Sequence, residues 1–167
     1  PSTILKAIKN TNIKFIHFST DAVFKGKIKN KIYSERDKPR PSSIYGKSKL
    51  EGEQFVEKNC SKFLILRTSG VISKNNDNFI SKIKKLSKTK KELSVINDQI
   101  TAINFSSYIS EATSKILKKI ENNTDNENRW GIYHLSGNEP GSWFDFARYA
   151  QKMNTLSDPN SSFSQTK

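Results

Sequence analysis

Apolar residues along the chain fall into short blocks whose spacing alternates between two types of regular structure. Apolar positions three or four residues apart predict amphipathic helices, and short apolar runs rich in β-branched or aromatic residues predict strands. The predicted helices lie at residues 3–10, 45–59, 78–88, 106–120 and 144–153. The predicted strands lie at residues 13–18, 63–66, 93–96 and 131–135. Strands that alternate with helices indicate an α/β domain with a mainly parallel sheet.

Two local patterns sharpen this prediction. The run from Phe63 to Leu66 is nearly continuous apolar sequence, which indicates a strand buried on both faces of a parallel sheet. Ser142 precedes the last predicted helix, where its hydroxyl would cap the first turn. Polar sequence predicts a loop at residues 25–43, a break at 122–128 and a disordered tail at 154–167.

The chain of 167 residues is strongly basic, with a formal net charge of +13. A basic domain can bind nucleic acid through phosphate contacts. Here, however, the lysines are scattered over several segments, are not interleaved with aromatic residues, and greatly outnumber arginine, the residue favoured for bidentate contacts. We therefore expect runs such as 25–31 and 82–91 to be solvated loops and helix faces rather than a nucleic-acid surface.

The sequence also predicts the compartment. No segment approaches the roughly 20 apolar residues that span a bilayer, and Pro1 to Thr3 do not begin a secretory signal. A single cysteine, Cys60, cannot form an internal disulfide. These features predict a cytoplasmic protein with no membrane partner. The chain lacks an initiator Met, so we expect a fragment or a processed product.

A metal site is not predicted. The two histidines, His17 and His134, lie in apolar strand patterns without a nearby cysteine or closely spaced acidic residues. Packing within a strand explains them better than metal ligation.

Tyr45 and Lys49 are the first candidate catalytic residues. They are four residues apart at the start of a predicted helix, so their side chains share one face. A carbonyl that receives a hydride also needs a proton, which a phenol supplies only if its pKa falls well below about 10. A neighbouring ammonium lowers such a pKa. Alone, the Tyr-x-x-x-Lys pattern is short, and a tyrosine packed at a helix start with a solvated lysine one turn on explains it better than catalysis.

The surrounding motifs change that balance. In chain order they are Phe18-Ser19-Thr20-Asp21-Ala22-Val23-Phe24-Lys25-Gly26, then Tyr45-Gly46-Lys47-Ser48-Lys49-Leu50-Glu51-Gly52-Glu53, then Leu66-Arg67-Thr68-Ser69, Asn78-Phe79, Val95-Ile96-Asn97-Asp98-Gln99, Gly131-Ile132-Tyr133-His134-Leu135 and Ser142-Trp143. In this order and spacing, residues 13–150 closely resemble the dTDP-4-dehydrorhamnose reductase branch of the extended short-chain dehydrogenases.

The resemblance implies an NADPH- or NADH-dependent oxidoreductase that reduces a nucleotide-linked 4-keto-6-deoxysugar in rhamnose and cell-surface polysaccharide synthesis. It implies that Tyr45 donates the proton and that Lys49 lowers the pKa of the phenol and binds the nicotinamide ribose. Thr20 matches a hydroxyl that bonds the substrate carbonyl or the tyrosine. Asp21 and Asn78 lie in segments that match sugar- and nucleotide-contacting segments, so all three are candidate substrate-binding residues. A homodimer is among the assemblies that the resemblance leaves open.

The same resemblance implies a partial Rossmann-type doubly wound parallel sheet with a small C-terminal α/β substrate-binding part. Residues 1–70 would be the second half of the cofactor domain, and residues 71–153 mainly the substrate-binding part, with some elements returning to the sheet. Residues 154–167 would be a polar tail. The family's Gly-rich phosphate loop, G-x-x-G-x-x-G, does not occur in the 167 residues, so we expect the chain by itself to bind NAD(P)H poorly and to be inactive.

The sugar-facing positions depart from the family pattern. Ala22 stands where a tyrosine is usual, Gly70 stands where a tryptophan is usual, and Ile103-Asn104 replaces Pro-Thr. These changes affect the shape of the sugar-binding site more than the residues that transfer the proton. They leave open two alternatives: a non-catalytic subunit that resembles the regulatory subunit of methionine adenosyltransferase, and another extended-family nucleotide-sugar epimerase or dehydratase.

Overall fold

The computed structural model of the chain describes residues 1–9, 11–26, 32–74, 77–122, 129–154 and 162–166, with backbone only for 154 and 162–166. Parts of four expectations therefore lie outside the described residues, namely residue 10 of the first predicted helix, 27–31 of the predicted loop, 123–128 of the predicted break, and 155–161 and 167 of the predicted tail.

Helices and strands alternate along the chain. The helices are α1 (Ser2–Ile8), α2 (Ile44–Asn59), α3 (Phe79–Leu86), α4 (Ser106–Asn122) and α5 (Trp143–Asn154). The strands are β1 (Phe15–Thr20), β2 (Phe63–Thr68), β3 (Val71–Ile72), β4 (Glu92–Ile96), β5 (Ile100–Ala102), β6 (Asn104–Phe105), β7 (Gly131–His134), β8 (Pro140–Ser142) and β9 (Ser162–Thr166). A short 3-10 helix, Asp21–Val23, directly follows β1. The predicted helices and strands are confirmed with small differences at their ends.

The chain forms two compact units, which are described separately. The first comprises residues 1–69 and 110–136, and its centre is a parallel sheet in the order β1-β2-β7. In β2, Leu64, Ile65 and Leu66 are all at most 1% exposed, which confirms a central strand buried on both faces. Among the described residues, β1 pairs with a strand on one side only. The α/β class with a parallel sheet is therefore confirmed.

Helices α1 and α2 cover one face of this sheet. Leu5 of α1, Val56 of α2 and Ile65 of β2 form a buried cluster, and each is at most 2% exposed. Burying a side chain of this size stabilises the fold by about 1.5–3 kcal/mol. This packing holds the C-terminal part of α2 against the sheet.

The second unit comprises residues 70–109 and 137–167. Its core forms between α3, β4 and α5, where Ile83, Val95, Phe144 and Ala147 are buried together. Two further pairs of short strands belong to this unit, β3 with β6 in parallel and β5 with β8 in antiparallel orientation.

Two predictions in the second unit have clear outcomes. Ser142 caps α5 as predicted: its Oγ accepts a hydrogen bond from the backbone N–H of Asp145 at 3.0 Å, and Asp145 Oδ2 accepts from the backbone N–H of Ser142 at 2.9 Å. The predicted disorder of residues 154–167 is wrong for Ser162–Thr166, which forms β9 and pairs in parallel with β4. Strand pairing satisfies the backbone of this polar segment, a long-range contact that local polarity does not reveal.

Candidate active site

The first turn of α2 presents Tyr45 beside the sheet. Ser43 is the N-cap, and its Oγ accepts a hydrogen bond from the backbone N–H of Gly46 at 3.0 Å. Tyr45 therefore lies in the first turn, where unpaired backbone N–H groups stabilise negative charge. Its side chain is 60% exposed, so the phenol is accessible to a ligand.

Gly46 brings this turn into contact with the end of β1. A Cβ atom at Gly46 would clash with the carbonyl oxygen of Ala22 and lie 2.9 Å from the Cβ of Pro41. Ala22 belongs to the 3-10 helix that follows β1 directly. The absence of a side chain at Gly46 thus allows the start of α2 to approach the carboxyl end of the strand, which is where ligands bind in parallel sheets.

Lys49 joins the same end of β1 from the next turn of α2. Its Nζ donates a 2.6 Å hydrogen bond to the backbone carbonyl oxygen of Phe18, and the side chain is half-buried. An ammonium has three donors, so this bond orients the group and leaves donor capacity for a ligand. The four-residue spacing puts Tyr45 and Lys49 on one face of α2, and Lys49 joins that face to β1.

Thr20 and Asp21 complete this end of the strand. The hydroxyl of Thr20 donates to Asp21 Oδ1 at 3.1 Å and accepts from the backbone N–H of Ala22 at 3.2 Å. Thr20 is 9% exposed, whereas Asp21 is exposed. The structure thus brings Thr20, Asp21 and Lys49 to the same strand end as the turn that carries Tyr45, and it uses the Thr20 hydroxyl as a cap for the 3-10 helix.

Asn78 belongs to the second unit and is the N-cap of α3. Its Oδ1 accepts from the backbone N–H of Ser81 at 3.1 Å, and its Nδ2 donates to the backbone carbonyl of Ser73 at 2.6 Å. The hydroxyl of Ser81 accepts from the backbone N–H of Asn78 at 2.8 Å and so completes a capping box. These contacts account for an asparagine at this position by local structure alone.

His17 lies on the face of β1 that α2 covers. A Cβ at Gly52 of α2 would lie 3.4 Å from its Nε2. Burial lowers the pKa of His17, and the positive charge of Lys49 lowers it further. The imidazole is therefore biased towards its neutral form, and it adds no second positive charge beside the Lys49 ammonium.

A cluster of aromatic and charged side chains holds residues 33–35. The sequence did not reveal this cluster. The ring of Phe24 stacks on Tyr33 with centroids 4.4 Å apart and meets the ring of His134 edge-on at 5.6 Å. Glu35 Oε1 accepts from the backbone N–H of His134 at 2.9 Å, and this hydrogen bond lowers the pKa of Glu35. Residues 33–35 are therefore tied to the carboxyl end of β7.

Gly70, where the family resemblance leads one to expect a tryptophan, lies in the second unit against another aromatic residue. A Cβ at Gly70 would lie 3.1 Å from Cη2 of Trp143. The Trp143 ring packs on Phe79, with centroids 4.7 Å apart, and approaches Phe146. An indole therefore occupies the space beside Gly70, and larger residues at position 70 would displace it.

The described part of the chain contains no group of three or more His, Cys, Asp or Glu side chains that could hold a metal ion. None of its helices is long and apolar enough to cross a bilayer. The phenol of Tyr45 and the ammonium of Lys49 are donors of the kind that could bind the vicinal hydroxyls of a nicotinamide ribose. The pyrophosphate would need a Gly-rich loop outside these 167 residues.

Comparison with known proteins identifies the family of the chain. Residues 1–164 match the model of the RmlD substrate binding domain. The chain is 39% identical over 146 residues to a dTDP-4-dehydrorhamnose reductase of Sinorhizobium fredii, which covers 87% of this chain and 49% of that protein. It is 36% identical over 143 residues to the spore coat polysaccharide biosynthesis protein SpsK of Bacillus subtilis, covering 84% of this chain and 47% of SpsK. The chain spans about half the length of the curated relatives it matches.

Solved structures give the same result. A dTDP-4-dehydrorhamnose reductase of Clostridium acetobutylicum superimposes with a TM-score of 0.86 at 28% identity, over 100% of this chain and 55% of that one. The dTDP-4-dehydrorhamnose reductase of Bacillus anthracis in complex with NADP gives a TM-score of 0.82 at 29% identity, over 98% of this chain and 54% of that one. The chain therefore belongs to the RmlD substrate-binding-domain family.

Proposed function

We propose that the polypeptide containing this chain reduces the C4 ketone of a dTDP-linked 4-keto-6-deoxysugar with NADPH or NADH, the reaction that forms dTDP-L-rhamnose for polysaccharide synthesis. The observation that carries the proposal is the placement of Tyr45 and Lys49, one helical turn apart, against the carboxyl end of β1. Relatives named dTDP-4-dehydrorhamnose reductase and an NADP complex of one such protein support it.

In this mechanism NAD(P)H supplies a hydride to the C4 carbon when it is bound. The phenol of Tyr45 donates its proton to the carbonyl oxygen as negative charge develops there. The ammonium of Lys49 stabilises the phenolate that remains and donates to the ribose hydroxyls. The hydrogen bond from Lys49 to the carbonyl of Phe18 holds the ammonium at the strand end for both of these roles.

Three residues are proposed to contact the substrate. Thr20 and Asp21 are proposed to bind the sugar near the reacting carbonyl, with Thr20 exchanging its contact with Asp21 for one with substrate. Asn78 is proposed to lie in the segment that contacts the nucleotide-sugar. Its own side-chain amide already caps α3. Residues 1–70 are assigned mainly to cofactor binding, and residues 71–153 mainly to substrate binding.

A cytoplasmic location and a homodimer are further parts of the proposal. The single thiol, Cys60, fits a reducing compartment. Sedimentation of the complete polypeptide should give twice the monomer mass, and fractionation of cells should recover it with soluble cytoplasmic enzymes. A monomer at micromolar concentration, or recovery with membranes or outside the cell, would contradict these assignments.

The test uses the complete polypeptide encoded by the reading frame that contains residues 1–167. Nicotinamide oxidation is followed with dTDP-4-keto-6-deoxyglucose plus the epimerase that forms the dehydrorhamnose substrate, separately with NADPH and NADH. Tyr45→Phe should lower kcat by at least about 100-fold, because general acid catalysis contributes about 10²–10⁴-fold. Tyr149→Phe is the matched control, since Tyr149 is a 66% exposed tyrosine of α5, and it should leave kcat unchanged.

Two outcomes would contradict the proposal. Equal loss of activity in Tyr45→Phe and Tyr149→Phe would remove Tyr45 from the chemistry. Cofactor binding without oxidation with any keto sugar, together with co-purification of a partner enzyme, would instead identify a non-catalytic regulatory subunit.

A further inference from the structure

Glu53 and Arg67 form a buried ion pair between α2 and β2. Arg67 Nε donates to Glu53 Oε1 at 3.0 Å, and Nη2 donates to Glu53 Oε2 at 2.6 Å. Glu53 is 0% exposed and Arg67 is 4% exposed. The bonds are parallel and bidentate, a geometry that fixes the orientation of both groups as well as their distance.

Glu53 continues the helix face that carries the proposed catalytic residues. It lies four residues after Lys49 and eight after Tyr45, so the three side chains form one row along α2. Arg67 lies on β2 opposite Ser19 of β1, within the same pairing that sets Phe18 beside Leu66. The ion pair therefore joins α2 to the strand that adjoins the Lys49 acceptor.

Arg67 also contacts the segment that follows β1. Its guanidinium carbon lies 5.2 Å from the centre of the Phe24 ring, and Phe24 directly follows the 3-10 helix against which Gly46 packs. Arg67 thus contacts α2 through Glu53 and also the residue that follows the 3-10 helix. Its remaining nitrogen, Nη1, is buried and has no hydrogen-bond partner among the described residues.

A buried ion pair is a poor source of stability, because removing both charges from water costs about as much as their attraction returns. Replacement of a buried ion pair by apolar side chains of similar volume is often neutral or stabilising. The bidentate pair instead fixes the angle and the distance between α2 and β2.

We propose that Glu53 and Arg67 are positioning residues for the reduction, holding the Tyr45–Lys49 face of α2 at the carboxyl end of β1. This inference rests on the proposed function. A displacement of about 1 Å at a reacting group can cost about 100-fold in rate. Loss of the pair therefore affects kcat more than the KM for the sugar, because Thr20 and Asp21, the proposed sugar contacts, lie on β1 and the 3-10 helix rather than on α2.

The test measures kcat, KM and the pH profile of kcat for Glu53→Gln and Arg67→Lys in the complete polypeptide, at a temperature at which each variant is fully folded. Both variants should lower kcat by about 10–100-fold with the KM for the sugar changed less than about threefold. The pH profile of kcat should shift to higher pH as Lys49 moves from Tyr45. Glu111→Gln is the control, since it breaks the exposed pair of Glu111 with Lys115 on α4, and it should change none of these values.

A double variant keeps the inference testable if the single ones unfold. Glu53→Leu with Arg67→Met replaces the pair by apolar groups and should fold with a wild-type Tm. Its kcat should still be at least about tenfold low, because the bidentate geometry is lost. A wild-type kcat and pH profile in this variant would show a purely structural pair and overturn the inference.

Failure of the proposed function can be distinguished from failure of this inference. If the wild-type polypeptide reduces no keto sugar, the positioning claim is tested by hydrogen exchange at the backbone amides of residues 47–50. Faster exchange there in the double variant than in Glu111→Gln supports the claim that the pair fixes this turn. Identical exchange in both variants overturns it.

Discussion

The Nζ of Lys49 donates a 2.6 Å hydrogen bond to the backbone carbonyl oxygen of Phe18. This contact connects the second turn of α2 to the strand whose end carries Thr20 and Asp21. It gives the ammonium a hydrogen-bond acceptor on the protein itself. The lysine is therefore oriented by its contact with β1.

Replacing Lys49 tests that orientation. Lys49→Met retains much of the side-chain length but removes the charge and the bond to Phe18, so kcat should fall by at least about 100-fold. Lys47→Met is the matched control, because Lys47 is an exposed lysine in the same helix. Steady-state kinetics of both variants provide the measurement, and comparable losses in the two would refute the role of Lys49.

Gly46 and Gly52 offer a paired test of how closely α2 approaches β1. Gly46→Ala should destabilise the chain by about 1–3 kcal/mol or more, because the new Cβ meets the backbone carbonyl of Ala22. Gly52→Ala should be neutral or stabilising by up to about 1 kcal/mol, since its Cβ would lie 3.4 Å from His17 Nε2 and alanine favours the helix. Urea denaturation measures both. Equal destabilisation by the two substitutions would show that the contact of Gly46 with Ala22 does not limit the approach of α2 to β1.

Phe24 should be a major stabilising residue of the first unit. It is 7% exposed and contacts the rings of Tyr33 and His134 as well as the guanidinium of Arg67. Phe24→Ala should lower the free energy of unfolding by about 3–5 kcal/mol. Phe105→Ala, at a 61% exposed phenylalanine, should cost no more than about 0.5 kcal/mol. Chemical denaturation that gave both variants the same free energy would contradict this assignment.

Acidification should weaken the fold through His17. Burial and then the charge of Lys49 lower its pKa, so the unfolded chain binds the proton more tightly than the folded chain. The corresponding stability is complete above the ordinary value of 6.5 and is lost as the pH falls through the lowered folded pKa. Thermal denaturation between about pH 7.5 and about pH 5.5 should show Tm falling with pH.

A variant isolates this contribution. His17→Asn removes the titration, so its Tm should depend less on pH over the same range than that of the unsubstituted chain. His134 also has a pKa lowered by burial, and His134→Asn should reduce the dependence independently. An unchanged slope in His17→Asn would show that the imidazole does not contribute.

The sequence predicted the elements that carry strong periodicity. Leu64 to Leu66 form a continuous apolar run typical of a central parallel strand, and α3, α4 and α5 carry their apolar residues at helical spacing. The two- and three-residue strands β3, β5, β6 and β8 were not predicted, because so few residues show no period. Strand β9 is largely polar and depends on pairing with β4, which lies far away in the sequence.

The candidate site could be predicted only in part. The spacing of Tyr45 and Lys49 indicates a shared helix face, and the structure places that face against β1. The buried position of Glu53 could not be predicted, because a glutamate within a polar helix normally faces solvent and its partner Arg67 lies on another element. The only available signal was that Glu53 extends the four-residue spacing of the other two.

Isotope transfer tests the central claim most directly. The complete polypeptide is incubated with the 4-keto-6-deoxysugar nucleotide and NADPH deuterated on the transferred position, and the product is analysed by mass spectrometry and NMR. The account predicts one deuterium at C4 of the sugar with the unsubstituted protein and at least about 100-fold slower transfer with Tyr45→Phe. No deuterium at C4, or equal transfer rates in the two proteins, would contradict it.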